Sequence, residues 1–246
     1  LQSGGPTAVS NACLAAAASE VKGEPLIGAR RGLRGLLDED FVDLAGVSDW
    51  SAVARSPGAA LGSSRYRPTE EEIVQILDSL KRREIHRMVV IGGNGSMSAA
   101  TALSSIAEST GYELSVAGIP DTIDNDVPGT ELCLGFGSCA RYTTQTVIDI
   151  AQDVRSLPTP VSIIEVMGRN TGWVAAATSL AGSGPGDAPH AVYLPEIPVS
   201  SDRLLTNIKR QFESFGWVVV IVSEGIVDDL GNPFAHAPVP GVEGFG

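Results

Sequence analysis

Residues 88–126 read MVVIGGNGSMSAATALSSIAESTGYELSVAGIPDTIDND. Met88-Val89-Val90-Ile91 is a short apolar run, and Ser115-Val116-Ala117-Gly118-Ile119 is a second. Between them the Ser- and Ala-rich stretch 96–110 has helical character. Each run opens directly into a polar turn. Gly92-Gly93-Asn94-Gly95-Ser96 follows the first, and Pro120-Asp121-Thr122-Ile123-Asp124-Asn125-Asp126 follows the second. Strand, turn, helix, strand and turn in that order predict a βαβ unit with parallel strands and a right-handed crossover.

The alternation continues outward in both directions. Further strands are expected at 162–166, 191–194 and 218–222, each short and apolar as buried parallel strands are. Helices are expected over 7–21, 69–83, 140–155, 172–180 and 200–215. Thr69 before Glu70-Glu71-Glu72 reads as a capped helix start whose acidic first turn matches the helix dipole. Together these elements predict an α/β fold with helices on both faces of mostly parallel sheets. A break between two lobes fits best around 128–137, and no internal repeat of short period is visible.

With 246 residues, 43% of them hydrophobic and 19% charged, the chain can bury a large core as one big domain or two smaller ones. No apolar run approaches the ~20 residues needed to cross a bilayer, so no membrane partner is expected. Cys13, Cys133 and Cys139 are an odd number without a CxxC pair, which points to reduced thiols and a cytoplasmic setting. No secretory signal is visible, and the sequence begins at Leu1. A net charge of −12 argues against nucleic-acid binding, which needs a basic surface. An acidic chain can still hold phosphates by local means: helix N-termini, arginines or a metal.

In open α/β sheets ligands collect at the carboxyl ends of the strands. That rule brings 92–96 and 121–126 to one sheet edge, and Gly168-Arg169 and Ser223-Glu224 to the same kind of edge in a second sheet. Asp124 there can take a proton from a hydroxyl substrate, although Asp-rich turns are also common loop chemistry. Gly92–Ser96 lets backbone approach an anion, with Ser96 expected to cap the next helix. Gly4-Gly5-Pro6-Thr7 offers the same device more weakly, and alone it reads equally as a plain strand-to-helix turn. Arg65, after the small-residue loop 58–64, can clamp a phosphoryl group, though most surface arginines only meet water. Arg169 can fork a phosphate, and Glu224 can accept bonds from sugar hydroxyls. Among the histidines, His86 sits in a basic cluster, while His190 and His236 sit in Pro- and Gly-rich loops. No zinc-ligand spacing and no Ser–His–Asp set emerges.

Taken in order, Gly4-Gly5, Gly62-Ser63-Ser64-Arg65, Gly92-Gly93-Asn94-Gly95-Ser96, Thr122-Ile123-Asp124-Asn125-Asp126, Glu165-Val166-Met167-Gly168-Arg169 and Ser223-Glu224-Gly225 resemble the 6-phosphofructokinase family along nearly the whole chain. The resemblance implies two similar Rossmann-like three-layer lobes. The first, 1–136, would bind the phosphoryl donor. The second, 137–246, would bind fructose 6-phosphate, with the reaction in the cleft. By that resemblance Asp124 is the base for the sugar 1-hydroxyl, with Thr122 and Asp126 beside it around substrate and metal, and Arg65 stabilises the transferring group. Gly5, Gly93, Asn94, Gly95 and Ser96 cradle the donor. Met167, Gly168, Arg169 and Glu224 contact the sugar phosphate. Fructose 1,6-bisphosphate in glycolysis, Mg²⁺ as cofactor and a homo-oligomer, dimer or tetramer, are implied likewise.

Three departures from the family pattern stand out. Asn94 replaces the usual metal-binding Asp, Asp121 replaces Gly or Lys and can either supply the missing ligand or repel the donor phosphates, and Pro160 stands where many bacterial members carry an intersubunit Arg. Gly95, and Asp121 in place of Lys, favour ATP as donor. Gly172-Trp173 looks more like the pyrophosphate-using and long-chain branches, so pyrophosphate stays the alternative. The family continues with a Gly- and Arg-containing stretch where this sequence reaches 242–246, so the second lobe is expected to be incomplete. A non-catalytic sugar-phosphate or nucleotide sensor also fits Asn94 and Asp121. A kinase of the NAD or lipid class shares the glycine turn, but the Arg65 loop and the 165–169 segment speak against it.

Overall fold

The computed structural model describes residues 1–21, 23–158 and 160–234; His236 and residues 242–246 lie outside them. The chain divides into two compact units, Leu1–Ser138 and Cys139–Gly246. The sequence reading places the division at 136/137.

The first unit runs α1 (Ser10–Glu20), β1 (Ile27–Ala29), α2 (Gly32–Leu37), β2 (Phe41–Asp43), α3 (Trp50–Arg55), α4 (Glu70–Arg82), β3 (Arg87–Gly92), α5 (Asn94–Ser109), β4 (Ser115–Thr122) and β5 (Leu134–Gly135). Its main sheet has the order β3-β4-β5, and both pairings are parallel. Gln2 bridges Ile91 in parallel, so residues 1–3 lie on the free side of β3. Side chains alternate across this sheet as the pleat requires. One face meets a cluster built from Leu33 and Leu36 of α2, Ile73, Ile76, Leu77 and Leu80 of α4, and Leu103 of α5, with Met88 packed against it. The other face carries Val89 and Ile119 onto Cys13 and Leu14 of α1, with Leu44 and Leu61. Burying each large aliphatic side chain of this kind contributes roughly 1.5–3 kcal/mol. Helices on both faces of a parallel sheet are the predicted arrangement.

The expected capping at α4 is present in full. Thr69 Oγ1 accepts from Glu72 N at 3.3 Å, and Thr69 N donates to Glu72 Oε2 at 2.7 Å. Three local expectations are corrected. First, β4 runs on through Pro120, Asp121 and Thr122, so the turn begins later than the apolar run suggests. Asp121 and Thr122 pair with Leu134 and Gly135, and this second pairing keeps the backbone extended. Second, α5 starts at Asn94 with Gly93 as its N-cap, so Ser96 lies inside the first turn and is not the cap. Third, α1 starts at Ser10 with Val9 as its N-cap, and the Thr7 hydroxyl before it is bound to Asp121. The antiparallel pair β1–β2, with α2 and α3, fills a stretch to which the sequence pattern assigns no element.

The long helix α6 (Phe136–Ser156) leads into the second unit, which continues with β6 (Val161–Val166), α7 (Trp173–Ala177), a short 3-10 helix (Thr178–Ala181), β7 (Ala191–Tyr193), α8 (Ser201–Phe215) and β8 (Val218–Ser223). Where one helix is predicted over 172–180, a five-residue helix and the 3-10 turn stand instead. The sheet order is β6-β8-β7, all parallel. Central β8 is buried along its whole length, as its Val-Val-Val-Ile-Val run requires. One face packs Val218, Val220 and Val222 against Leu204 and Ile208 of α8.

Candidate active site

In the first unit the sites predicted at the ends of β3 and β4 do meet. A β-carbon at Gly93 would lie 3.2 Å from Thr122 Cβ, so the glycine turn passes directly over Thr122. Thr122 Oγ1 accepts from Asp124 N at 3.2 Å, and Asn94 Nδ2 donates to the Asp126 carbonyl at 3.2 Å. The turn itself is held by Asn125, which adopts the left-handed conformation (φ 55°) that Asn tolerates. Its buried side chain accepts from Cys133 N at 2.7 Å and donates to the Glu131 carbonyl at 3.3 Å. Thr122, Asp124 and Asp126 are all half-buried, and Asn125 is the buried member that shapes their turn.

Two more segments reach the same edge. Gly4 N donates to the Ser64 carbonyl at 2.9 Å, and Ser63 Oγ donates to the Gly4 carbonyl at 2.6 Å. This pairing sets Gly5 beside Arg65, whose Nη2 lies 3.6 Å from where a Gly5 β-carbon would stand. The corresponding distance from Gly4 to Ser96 Oγ is 3.7 Å. Gly5, Arg65, Gly93, Asn94, Ser96, Thr122, Asp124 and Asp126 thus form one connected group around the N-terminus of α5. That terminus carries the positive end of the helix dipole, and it favours an anion.

Asp121 stands apart from this group. Thr122 faces Gly93, so Asp121, one residue earlier on the strand, points to the opposite face. There it is 3% exposed, and both carboxylate oxygens accept hydroxyl hydrogens: Oδ1 from Thr7 Oγ1 at 2.6 Å, Oδ2 from Ser10 Oγ. The expectation that Asp121 joins Asn94 at a metal does not fit this geometry. Burial, and then the Asp121 charge, push the nearby Cys13 thiol above its usual pKa. Among the described residues, no group of three or more His, Cys, Asp or Glu is placed to hold a metal ion.

In the second unit the predicted sugar-phosphate residues share one edge. Glu224 N donates to the Val166 carbonyl at 2.9 Å, and Gly168 N donates to Glu224 Oε1 at 3.2 Å. Ser223 Oγ also donates to the Gly168 carbonyl. Gly168 is thereby fixed between the ends of β6 and β8 with φ 129°, where a side chain is strained. Met167 and Arg169 on either side are exposed.

Sequence reasoning missed four residues at these edges. Thr7 and Ser10 bind Asp121 across more than a hundred residues of chain, and no local pattern announces such a pair. Arg67 Nε lies 3.6 Å from where a Gly95 β-carbon would stand, and its spacing of two from Arg65 was the available signal. Glu196 Oε1 accepts from Gly172 N at 2.8 Å.

The family model for phosphofructokinase matches residues 1–237. A Xanthomonas campestris pv. campestris protein named pyrophosphate–fructose 6-phosphate 1-phosphotransferase is 38% identical over 266 residues, covering 99% of this chain and 64% of its own. An ATP-dependent 6-phosphofructokinase of Amycolatopsis methanolica is 36% identical over 176 residues, covering 70% of this chain and 37% of its own. The crystal structure of a pyrophosphate-dependent phosphofructokinase from Nitrosospira multiformis matches with a TM-score of 0.86 at 36% identity, covering 94% of this chain and 61% of that one. The chain therefore spans less than two thirds of the length of these relatives. With the family model matched over nearly its full length and the glycine turn, the Asp124 turn and the Gly168 edge all in place, the chain belongs to the phosphofructokinase family.

Proposed function

We propose that the protein transfers a phosphoryl group from ATP to the 1-hydroxyl of fructose 6-phosphate. The observation that carries this reading is the joining of the Asp124 turn to the glycine turn, through Gly93 over Thr122 and Asn94 on Asp126. It supports a reading in which Asp124 acts as base near a helix N-terminus. The Asp124 carboxylate takes the proton from the attacking hydroxyl as the new P–O bond forms. Positioning and charge neutralisation do most of the work in such transfers. Backbone N–H groups at the start of α5 and the Arg65 guanidinium offset the charge on the transferring group. Met167, Gly168, Arg169 and Glu224 are assigned to the sugar phosphate, on the strength of their shared edge in the second unit.

Mg²⁺ binds few protein carboxylates, keeps several waters and shares the phosphates of its nucleotide. The residues present fit it only in that form. The Asn94 amide oxygen, Asp124 and Asp126 would help hold an ion that arrives on the donor, and the ion would supply neutralisation of donor charge.

Gly95, whose missing side chain leaves room beside Arg67 for a nucleotide α-phosphate, favours ATP. The acid at 121 does not bear on the choice of donor, because it faces away from the glycine turn and is held by Thr7 and Ser10. Pyrophosphate is the second reading, favoured by the names of the Xanthomonas and Nitrosospira relatives. Formation of fructose 1,6-bisphosphate with ATP and, separately, with pyrophosphate distinguishes them. Turnover with pyrophosphate alone overturns the ATP assignment. Calorimetric binding without product from either donor replaces both with the sensor reading. A homo-oligomer belongs to the same proposal, and sedimentation as a monomer at assay concentration removes it.

A further inference from the structure

Asp121 is a buried acid that the transfer reaction does not use. Its carboxylate ties the far end of β4 to the segment entering α1, through Thr7 Oγ1 on one oxygen and Ser10 Oγ on the other. The hydroxyls are themselves engaged by backbone: Thr7 N donates to Ser10 Oγ at 2.9 Å, and Val9 N donates to Thr7 Oγ1 at 3.1 Å. These bonds hold residues 7–10 in a closed knot with Asp121 at its centre. At its other end the same short segment pairs Gly4 with Ser63 and Ser64 and sets Gly5 beside Arg65.

We propose that Asp121 is a positioning residue for the phosphoryl donor: it clamps the Thr7–Ser10 knot and so fixes the Gly4–Gly5 backbone against Arg65 and the start of α5. The inference rests on the donor reading above, but the clamp has a readout of its own. Proline at position 6 stiffens the link between knot and glycines, because its φ is fixed. A glycine pair without side chains has little else to hold it, since glycine loses the most freedom on ordering. Loss of the clamp therefore frees the Gly4–Gly5 backbone inside the first unit, whereas Met167, Gly168, Arg169 and Glu224 belong to the second.

The test compares Asp121→Ala and Asp121→Asn with the parent protein, by amide hydrogen exchange over residues 3–13 and by steady-state kinetics. Asparagine keeps one acceptor for Thr7 and can donate to the Ser10 hydroxyl, so it preserves the knot. Asp121→Ala is expected to speed exchange of the Gly4, Gly5 and Thr7 amides. It should also lower kcat/KM for the donor about 10- to 100-fold, the cost of a misplacement near 1 Å. The KM for fructose 6-phosphate should hold, and Asp121→Asn should restore most of the loss. If Asp121→Ala fails to fold, Thr7→Val and Ser10→Ala remove the two donors one at a time and should give the same local exchange pattern. Unchanged exchange in the alanine variant, or equal losses toward donor and sugar phosphate, overturns the clamp. Absence of turnover in the parent overturns the donor reading, and the exchange result then decides the clamp by itself.

Discussion

Replacing Gly168 by alanine tests the second unit's edge. The residue sits at φ 129°, and a β-carbon there would lie 2.5 Å from the Thr171 carbonyl oxygen and 3.3 Å from Ser223 Oγ. Both neighbours are constrained, the first as backbone and the second by its bond to the Gly168 carbonyl. Two costs therefore add. Holding a side chain in that backbone region costs on the order of 1–3 kcal/mol. Pushing the Thr171 carbonyl out to normal contact adds about 1 kcal/mol of overpacking. A combined loss of about 2–4 kcal/mol corresponds to a fall in Tm of roughly 4–16 °C for a chain of this size. Gly216→Ala is the control. Gly216 ends α8 at φ 77° with nothing within 4 Å of its would-be β-carbon, so it isolates the conformational cost alone. That cost is about 1 kcal/mol. Calorimetry of both variants, with fructose 6-phosphate kinetics for the first, reads the outcome. Gly168→Ala should lose more than Gly216→Ala and should raise the KM for the sugar phosphate while sparing the donor. A Gly168→Ala protein that melts within a degree of the parent would refute the reasoning that this edge is built on glycine's freedom.

Asp124→Asn should lower kcat by roughly 10²–10⁴-fold with little change in either KM, because it removes a positioned base while keeping shape; parent-like turnover in a coupled assay disproves that role. Thr69→Ala removes the side-chain half of the α4 capping box and should cost about 1 kcal/mol in urea unfolding, with an unchanged m-value. His190 carries the pH prediction. Its Nδ1 accepts from Val219 N at 3.1 Å, and burial pushes its pKa below the usual value. The unfolded chain then takes up a proton, near pH 6.5, that the folded chain resists. Stability should be complete above about pH 6.5 and fall as pH drops through the folded value, and His190→Gln should flatten that part of the Tm profile. Parallel profiles for parent and variant would show that His190 carries no such linkage.

The fold was legible wherever a residue's neighbours in sequence decided its state. The run Val218-Val219-Val220-Ile221-Val222 is apolar on both faces, and only a central strand with both faces covered accepts that. Thr69 with Glu72 closes its capping box within four residues, so the start of α4 is local information. The stretch holding β1, α2, β2 and α3 was not legible, because each element is six residues or fewer and shows no full period of either pattern. Its strands pair with each other at Ile27–Asp43, Gly28–Val42 and Ala29–Phe41, and its helix α2 finds its partners on α4 and α5. Partners that distant leave no trace in a window of ten residues.

The edge residues divide along the same line, and Asp121 and Thr122 show how. As neighbours in a polar run they read as one turn and one chemistry. Pairing with Leu134 and Gly135 keeps the pair extended, and extension turns adjacent side chains to opposite faces. Thr122 goes to the glycine turn with Asp124, while Asp121 goes to α1 and its hydroxyls. The two-residue strand β5 thus separates an acid that holds structure from the acid proposed as the base. That separation depends on a pairing about a dozen residues downstream, beyond the reach of motif spacing. A polar run at a strand end should therefore be read with its pairing partner. A carboxylate in register with a paired residue belongs first to the sheet, and the first carboxylate past the pairing is the one to test for chemistry.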